Sequence, residues 1–186
     1  MKKLFHFSID KMPYWLGLGS TLLFAFFIAV ILPDQSAQAI ANGLSESIDT
    51  SWFYNAASLY RIAESYGESG RAFYIQQRWT FDLVWPVVYF LFIFSLSSLF
   101  YKSIGLSKMN RWILSFSWFA IFFDYIENIF VSLVMLNYPN PTPLIADFAG
   151  TFTSLKWIFL GMSFIVLFLL IILKIVQFIL WNRKTA

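Results

Sequence analysis

The chain has 186 residues, of which 12% are charged and 59% hydrophobic, with a mean hydropathy of +0.68. A soluble domain carries about a quarter charged residues, so this composition excludes a water-soluble globule and makes lipid the main solvent. The net charge of +3 comes from basic residues at the two ends and in one short loop, not from a face that could track phosphates, and nucleic acid is not an expected partner.

The absence of Cys and the presence of a single His, His6, exclude disulfides, thiolate catalysis and Cys- or multi-His metal ligation. No cofactor and no metal are expected. The 23 Phe, nine Tyr and eight Trp suit lipid-facing surfaces and the interfacial belts where Trp and Tyr settle.

Crossing a bilayer takes roughly 20 mostly apolar residues, and four runs qualify. The expected fold is all-α: an integral membrane four-helix bundle with short interfacial helices in the first extracytoplasmic loop, a single membrane domain over 1–186. The first span, 14–32, carries no charge, follows Lys2, Lys3 and Lys11, and is expected to stop at Pro33-Asp34. Gly17 and Gly19, with Ser20 and Ala25, offer close helix packing but lack GxxxG spacing. Basic residues, an apolar run and then Ala37-Gln38-Ala39 also describe a cleaved signal peptide. Signal h-regions are only about 7 to 15 residues long, so a retained helix is the expectation.

The loop 33–80 is too apolar and aromatic for a solvated linker. Trp52, Phe53, Ala56, Leu59, Tyr60 and Ala63 recur at helical spacing, which predicts a helix over 52–66 on the membrane surface. A turn at 67–70 and a second short helix over 71–79 follow, with Arg71, Tyr74 and Arg78 on one face. These arginines read either as a lid facing anionic groups or as interfacial anchors.

The second span, 83–101, is closed by Lys102. After the loop 102–111, the third span, 112–136, contains Asp124, Glu127 and Asn128. The loop 137–151 holds Tyr138-Pro139-Asn140-Pro141 and a lone charge, Asp147. The fourth span, 152–173, has Lys156 near its start and an apolar tail to Trp181.

Basic residues beside the spans fall on alternate sides: Lys2, Lys3 and Lys11, then Lys102, Lys108 and Arg111, then Lys174, Arg183 and Lys184. The positive-inside rule puts all three clusters, and hence both termini, in the cytoplasm, in a multi-pass protein of the plasma or inner membrane. The loops 33–80 and 137–151 then lie outside.

Ionisable residues within hydrocarbon cost about 2.5 to 3.5 kcal/mol each on insertion scales and mark function or a specific pairing. Asp124, Glu127 and Asn128 share a helix face, and a rise of about 1.5 Å per residue puts them in the outer half of the bilayer. Asp82, Pro86 and Tyr89 share a face of the second helix, and Lys156 comes to the same depth from the fourth. Carboxylates gathered in a low dielectric need cations, and Lys156, Arg71 and Arg78 are the available ones. The expected site is an outward-facing pocket in which Asp82, Asp124 and Glu127 pair with Lys156, beside Tyr89 and Asn128 and under a lid bearing Arg71, Tyr74 and Arg78.

Plainer readings stand beside it. Thr80 and Asp82 read equally as a helix cap, Lys156 as a snorkelling lysine, Thr151 or Thr153 as caps of the fourth helix, and Asp124 with Glu127 as a structural pair.

No internal repeat, phosphate loop, nucleophile elbow or zinc motif is present. Three function classes follow. The first is a binding or accessory protein whose polar cluster receives a lipid-like or small-molecule ligand, a membrane-protein partner or a second copy. The second is a membrane-embedded enzyme, with Asp124 or Glu127 as acid or base on a lipid-like or isoprenoid substrate. The third is a proton- or cation-coupled carrier, weakened by the narrow bundle and by an inner half that shows no matching polar path.

Overall fold

The first apolar run forms α1, Tyr14–Phe26, which passes through a π turn, Phe27–Ile31, into α2, Leu32–Ala41. The structure, a computed structural model, describes residues 9–44, 48, 51–106 and 108–185. Lys2, Lys3 and His6 lie outside the described residues, as do the side chains of Lys108 and Lys184. The expected stop at Pro33-Asp34 is overridden. A proline inside an α-helix loses an N–H bond and collides with the carbonyl four residues back. That carbonyl belongs here to Ala29, inside the wider π turn, so Pro33 fits in the first turn of α2 and the helical path runs on through Ala37-Gln38-Ala39.

Segment 33–80 then folds back over the bundle. Helix α3, Ala56–Ser65, is started by Asn55, whose side chain accepts from Ser58 N at 2.9 Å, and by Asp147, which accepts from Ala56 N at 2.8 Å. The predicted helix began at Trp52. Trp52 and Phe53 instead precede it and stay exposed, because the two capping carboxamide and carboxylate groups fix the start at Asn55.

Gly67, at φ +62°, makes the turn alone, so α4 begins at Gly67 and runs to Arg78. Leu59, Ile62, Ala63, Tyr66 and Tyr74 pack with Val131, Val134, Met135, Ala146 and Ala149. The α3–α4 hairpin therefore sits on protein and covers one end of the bundle.

Helix α5, Phe81–Ile104, tolerates Pro86 in its second turn and ends on left-handed Gly105, whose N–H reaches Lys102 O. A 3₁₀ segment, Lys108–Ser115, leads into α6, Phe116–Asn137, which stops before Pro139. The last helix, α7, is much longer than the predicted 152–173 and runs over Pro143–Thr185. Pro143 supplies a preset φ at the first helical position, and Thr142 O accepts the first helical bond from Ala146 N at 3.0 Å. At about 1.5 Å per residue α7 is roughly 65 Å long, about twice the hydrocarbon thickness of a bilayer.

Helices α5, α6 and α7 form the centre, and α1 lies against α5. Gly17 faces Leu96 and Leu99, where a Cβ would have to displace the end of the Leu99 side chain, and Ser20 Oγ meets Ser95 Oγ at 2.8 Å. Gly19 faces open space and plays no part in that contact. Large apolar side chains such as Leu18, Leu22, Ile165 and Phe168 point outward. Four helical stretches, Tyr14–Ala41, Gly67–Ile104, Asn110–Asn137 and Pro143–Arg183, are long and apolar enough to cross a membrane. Apolar outside and charged inside is the arrangement of a multi-pass membrane protein, here an all-α four-helix bundle.

Candidate functional site

At the covered end the charged residues of α4, α5, α6 and α7 turn inward. On α6, Asp124, Glu127 and Asn128 are all buried, and their three- and four-residue spacing aligns them toward α5 and α7. Lys156 Nζ lies 2.5 Å from Glu127 Oε2 and 4.0 Å from Asp124 Oδ1. The other oxygen of Asp124 accepts from the Tyr89 hydroxyl at 2.9 Å.

Lys156 is not near a helix start. Because α7 begins at Pro143, the ammonium enters the bundle more than three turns along, with 5% of the residue exposed. It is a buried ion-pair partner, not a snorkelling side chain.

Arg78, at the end of α4, reaches Asp82 Oδ2 at 2.9 Å one helical turn on, Asn128 Oδ1 at 3.1 Å and Tyr74 Oη at 2.6 Å. Thr80 makes no capping bond from its side chain to α5, so Asp82 is held by arginine rather than by a capping motif. Tyr89 serves Asp124 and Asp82 serves Arg78, so the shared face of α5 feeds two neighbouring subsites.

Arg71 departs from the expected arrangement. Its Nη1 donates to Ala63 O at 2.9 Å and its guanidinium stacks over Tyr138 at 4.6 Å. The carbonyl that ends the preceding turn draws it away, and it braces the hairpin instead of facing the acids.

The pocket expected to be open is closed. Glu127 is 1% exposed, and Tyr74, Arg78, Tyr89, Asp124 and Asn128 are all buried. Among the buried polar atoms of the described residues that lack a hydrogen-bond partner are Glu127 Oε1 and Asn128 Nδ2. The cluster comprises three carboxylates, Asp82, Asp124 and Glu127, and two cations, Arg78 and Lys156. If all are ionised, one negative charge is left over, and in a low dielectric such an excess attracts a cation or a proton.

One residue without a signal in the sequence closes the wall. Tyr54 Oη lies 3.0 Å from Thr153 Oγ1, which is also 3.0 Å from Ala149 O. Burial, and then the Glu127 carboxylate, push the Tyr54 phenol well above its ordinary range. Thr153 is thus a contact inside α7 rather than its cap. Tyr54 approaches so closely that Gly150 has no room for a side chain.

Hydroxyls also punctuate the opposite half of the bundle, which looked uniformly apolar in the sequence. Ser97, Ser98, Ser117 and Ser163 are buried there. Ser117 and Ser163 bond to carbonyls of their own helices, Leu114 O at 3.0 Å and Phe159 O at 2.7 Å. Such bonds satisfy Ser117 and Ser163 within their own helices, whereas Ser97 Oγ and Ser98 Oγ are buried without a hydrogen-bond partner.

Comparison with known proteins adds no relative to this picture: no family model, curated protein or solved structure matches the chain. The fold defines the class, a multi-pass membrane protein, here with a buried cluster of ion-paired side chains at one end.

Proposed function

We propose that this is a membrane binding or accessory protein whose buried cluster receives a cationic, hydrogen-bonding group, such as the amine of a lipid headgroup or of a small ligand. The observation that carries the reading is the unspent chemistry in a closed site. One carboxylate exceeds the cations, Glu127 Oε1 lacks a donor and Asn128 Nδ2 lacks an acceptor. A group entering between α3–α4 and the helix ends would supply the missing charge and bonds.

In this reading the covered end faces outward, and Lys102, Arg111, Lys174 and Arg183 lie with both termini in the cytoplasm. The chain has no Cys, so single Asn42→Cys and Arg183→Cys variants report sidedness cleanly. In intact cells a membrane-impermeant thiol reagent should modify Asn42→Cys alone, and modification of Arg183→Cys instead would invert the topology.

The functional test is mass spectrometry of molecules that co-purify with the wild type and with Glu127→Gln. A ligand retained by the wild type and lost from a folded Glu127→Gln protein supports the reading. Identical complements in both reject it.

A second reading, a membrane-embedded enzyme, is favoured by two adjoining proton couples, Tyr89–Asp124 and Lys156–Glu127, linked by the 4.0 Å approach of Lys156 to Asp124. It requires that a lipid of a native extract be converted without an ion gradient, and that Tyr89→Phe slow the conversion.

A further inference from the structure

Beside the charged cluster, a cavity of about 300 Å³ lies between the π turn and α2 on one side and α4 and α5 on the other. Its wall combines four primary amides, Gln35, Gln38, Gln76 and Gln77, with the rings of Phe27 and Phe81. None of its lining side chains is ionisable as an acid or base near neutral pH, in contrast to Arg78 and Asp82 of the charged cluster, which follow Gln77 and Phe81 in sequence. The π turn Phe27–Ile31 forms part of the wall, and such turns break helical regularity where a side chain or a ligand must be accommodated.

The amides define what fits. Each carries one acceptor oxygen and a two-proton donor. Gln77 Nε2 donates to Gln35 Oε1 at 3.3 Å and Gln38 Nε2 donates to Asp34 Oδ2 at 2.8 Å, so the Gln35 donor and the Gln77 and Gln38 acceptors remain for a ligand. A ligand that offers donors and acceptors together, without charge, is a polyol. Phe27 and Phe81 lie 6.3 Å apart and 22° from parallel, and both stack on Trp85, giving an aromatic floor whose electron-rich faces suit the C–H face of a sugar ring.

Position selects the source of that sugar. The cavity sits where the apolar helix of 14–31 gives way to polar α2, the level of a membrane–water boundary. Val84 lines it and is half exposed, and Ile28 and Val87 nearby are exposed as well, so the floor continues onto the lipid-facing surface. We infer that the Gln35–Gln77 cavity binds the sugar headgroup of a neutral glycolipid, with its chains lying along α1 and α5.

Native mass spectrometry of the full chain in detergent tests this, with monogalactosyl diacylglycerol, phosphatidylethanolamine and phosphatidylglycerol offered at equal concentration. The galactolipid adduct should dominate and should weaken about tenfold in Gln77→Leu and in Gln76→Leu, the effect of one or two lost neutral hydrogen bonds. Gln76 is exposed, so its variant keeps the fold, and Lys174→Met at the opposite end should leave the adduct unchanged. Equal retention of the three lipids, or an adduct insensitive to both glutamine variants, overturns the proposal. Displacement of the galactolipid by equimolar methyl galactoside overturns the lipid as the source.

Discussion

Glu127 on α6 and Lys156 on α7 meet at 2.5 Å with almost no exposure of either side chain to solvent. Neither charge has water to fall back on, so each is stable inside the bundle only while the other is present.

Removing one partner should therefore be costly. Lys156→Met is expected to destabilise the protein by about 3 to 5 kcal/mol, the usual cost of stranding one half of a buried pair. Lys174 is half-buried at the opposite end and, among the described residues, bonds to Ser103 O and Gln177 Oε1 without an ion-pair partner, so Lys174→Met should change little. Thermal unfolding in detergent compares the two, and equal effects would show that the Lys156 pair contributes nothing to stability. Glu127→Leu combined with Lys156→Met should recover much of the loss, because no buried charge is then left alone.

The two arginines of α4 should separate just as clearly. Arg78 joins Asp82, Asn128 and Tyr74, so Arg78→Leu should cost about 3 kcal/mol or more and abolish any binding that depends on Glu127. Arg71 holds Ala63 O and Tyr138, and Arg71→Leu should cost only about 1 to 2 kcal/mol and leave that binding in place. Loss of binding in both variants would place Arg71 in the site after all.

Gly150 is where the covering segment touches α7. A Cβ there would overlap the Tyr54 carbonyl oxygen, a backbone atom that cannot rotate aside. Gly150→Ala should destabilise by about 1 to 3 kcal/mol and loosen residues 51–65 in hydrogen exchange. Gly19→Ala, with open space around the new methyl group, should be neutral or stabilising by about 0.5 to 1 kcal/mol. A harmless Gly150→Ala would mean that Tyr54 does not dock where the structure has it.

Tyr54 also gives a pH dependence outside the spans. Its phenol titrates well above the ordinary tyrosine value of about 10, chiefly because it is buried. The unfolded chain releases this proton above about pH 10 while the folded chain keeps it, so the stabilisation is full below pH 10 and is lost as pH rises further. The stability of the wild type should fall more steeply above pH 10 than that of Tyr54→Phe. Parallel slopes in alkaline unfolding curves would show that the phenol is not buried.

Some of this architecture was legible residue by residue. Asp124, Glu127 and Asn128 stand out in an apolar run because hydrocarbon tolerates charge only with a partner, and helical spacing alone puts them on one face. Helix ends were less legible. Pro33 looked like a stop until the π turn accommodated it, and the start of α7 moved to Pro143 because a proline preset at the first helical position starts the helix ahead of Gly150 and Thr151.

The sequence by itself determined the solvent of this protein, since composition and run length require four apolar helices whatever their packing. It also determined that Asp124 and Glu127 share one face of the third span. Only the tertiary structure decided which cation each acid receives, that Arg71 turns away while Arg78 turns in, and that Tyr54 closes the wall. Those choices depend on distances between helices remote in sequence. Local spacing fixes which face a side chain occupies, but the neighbour it meets across that face is set by how the helices pack.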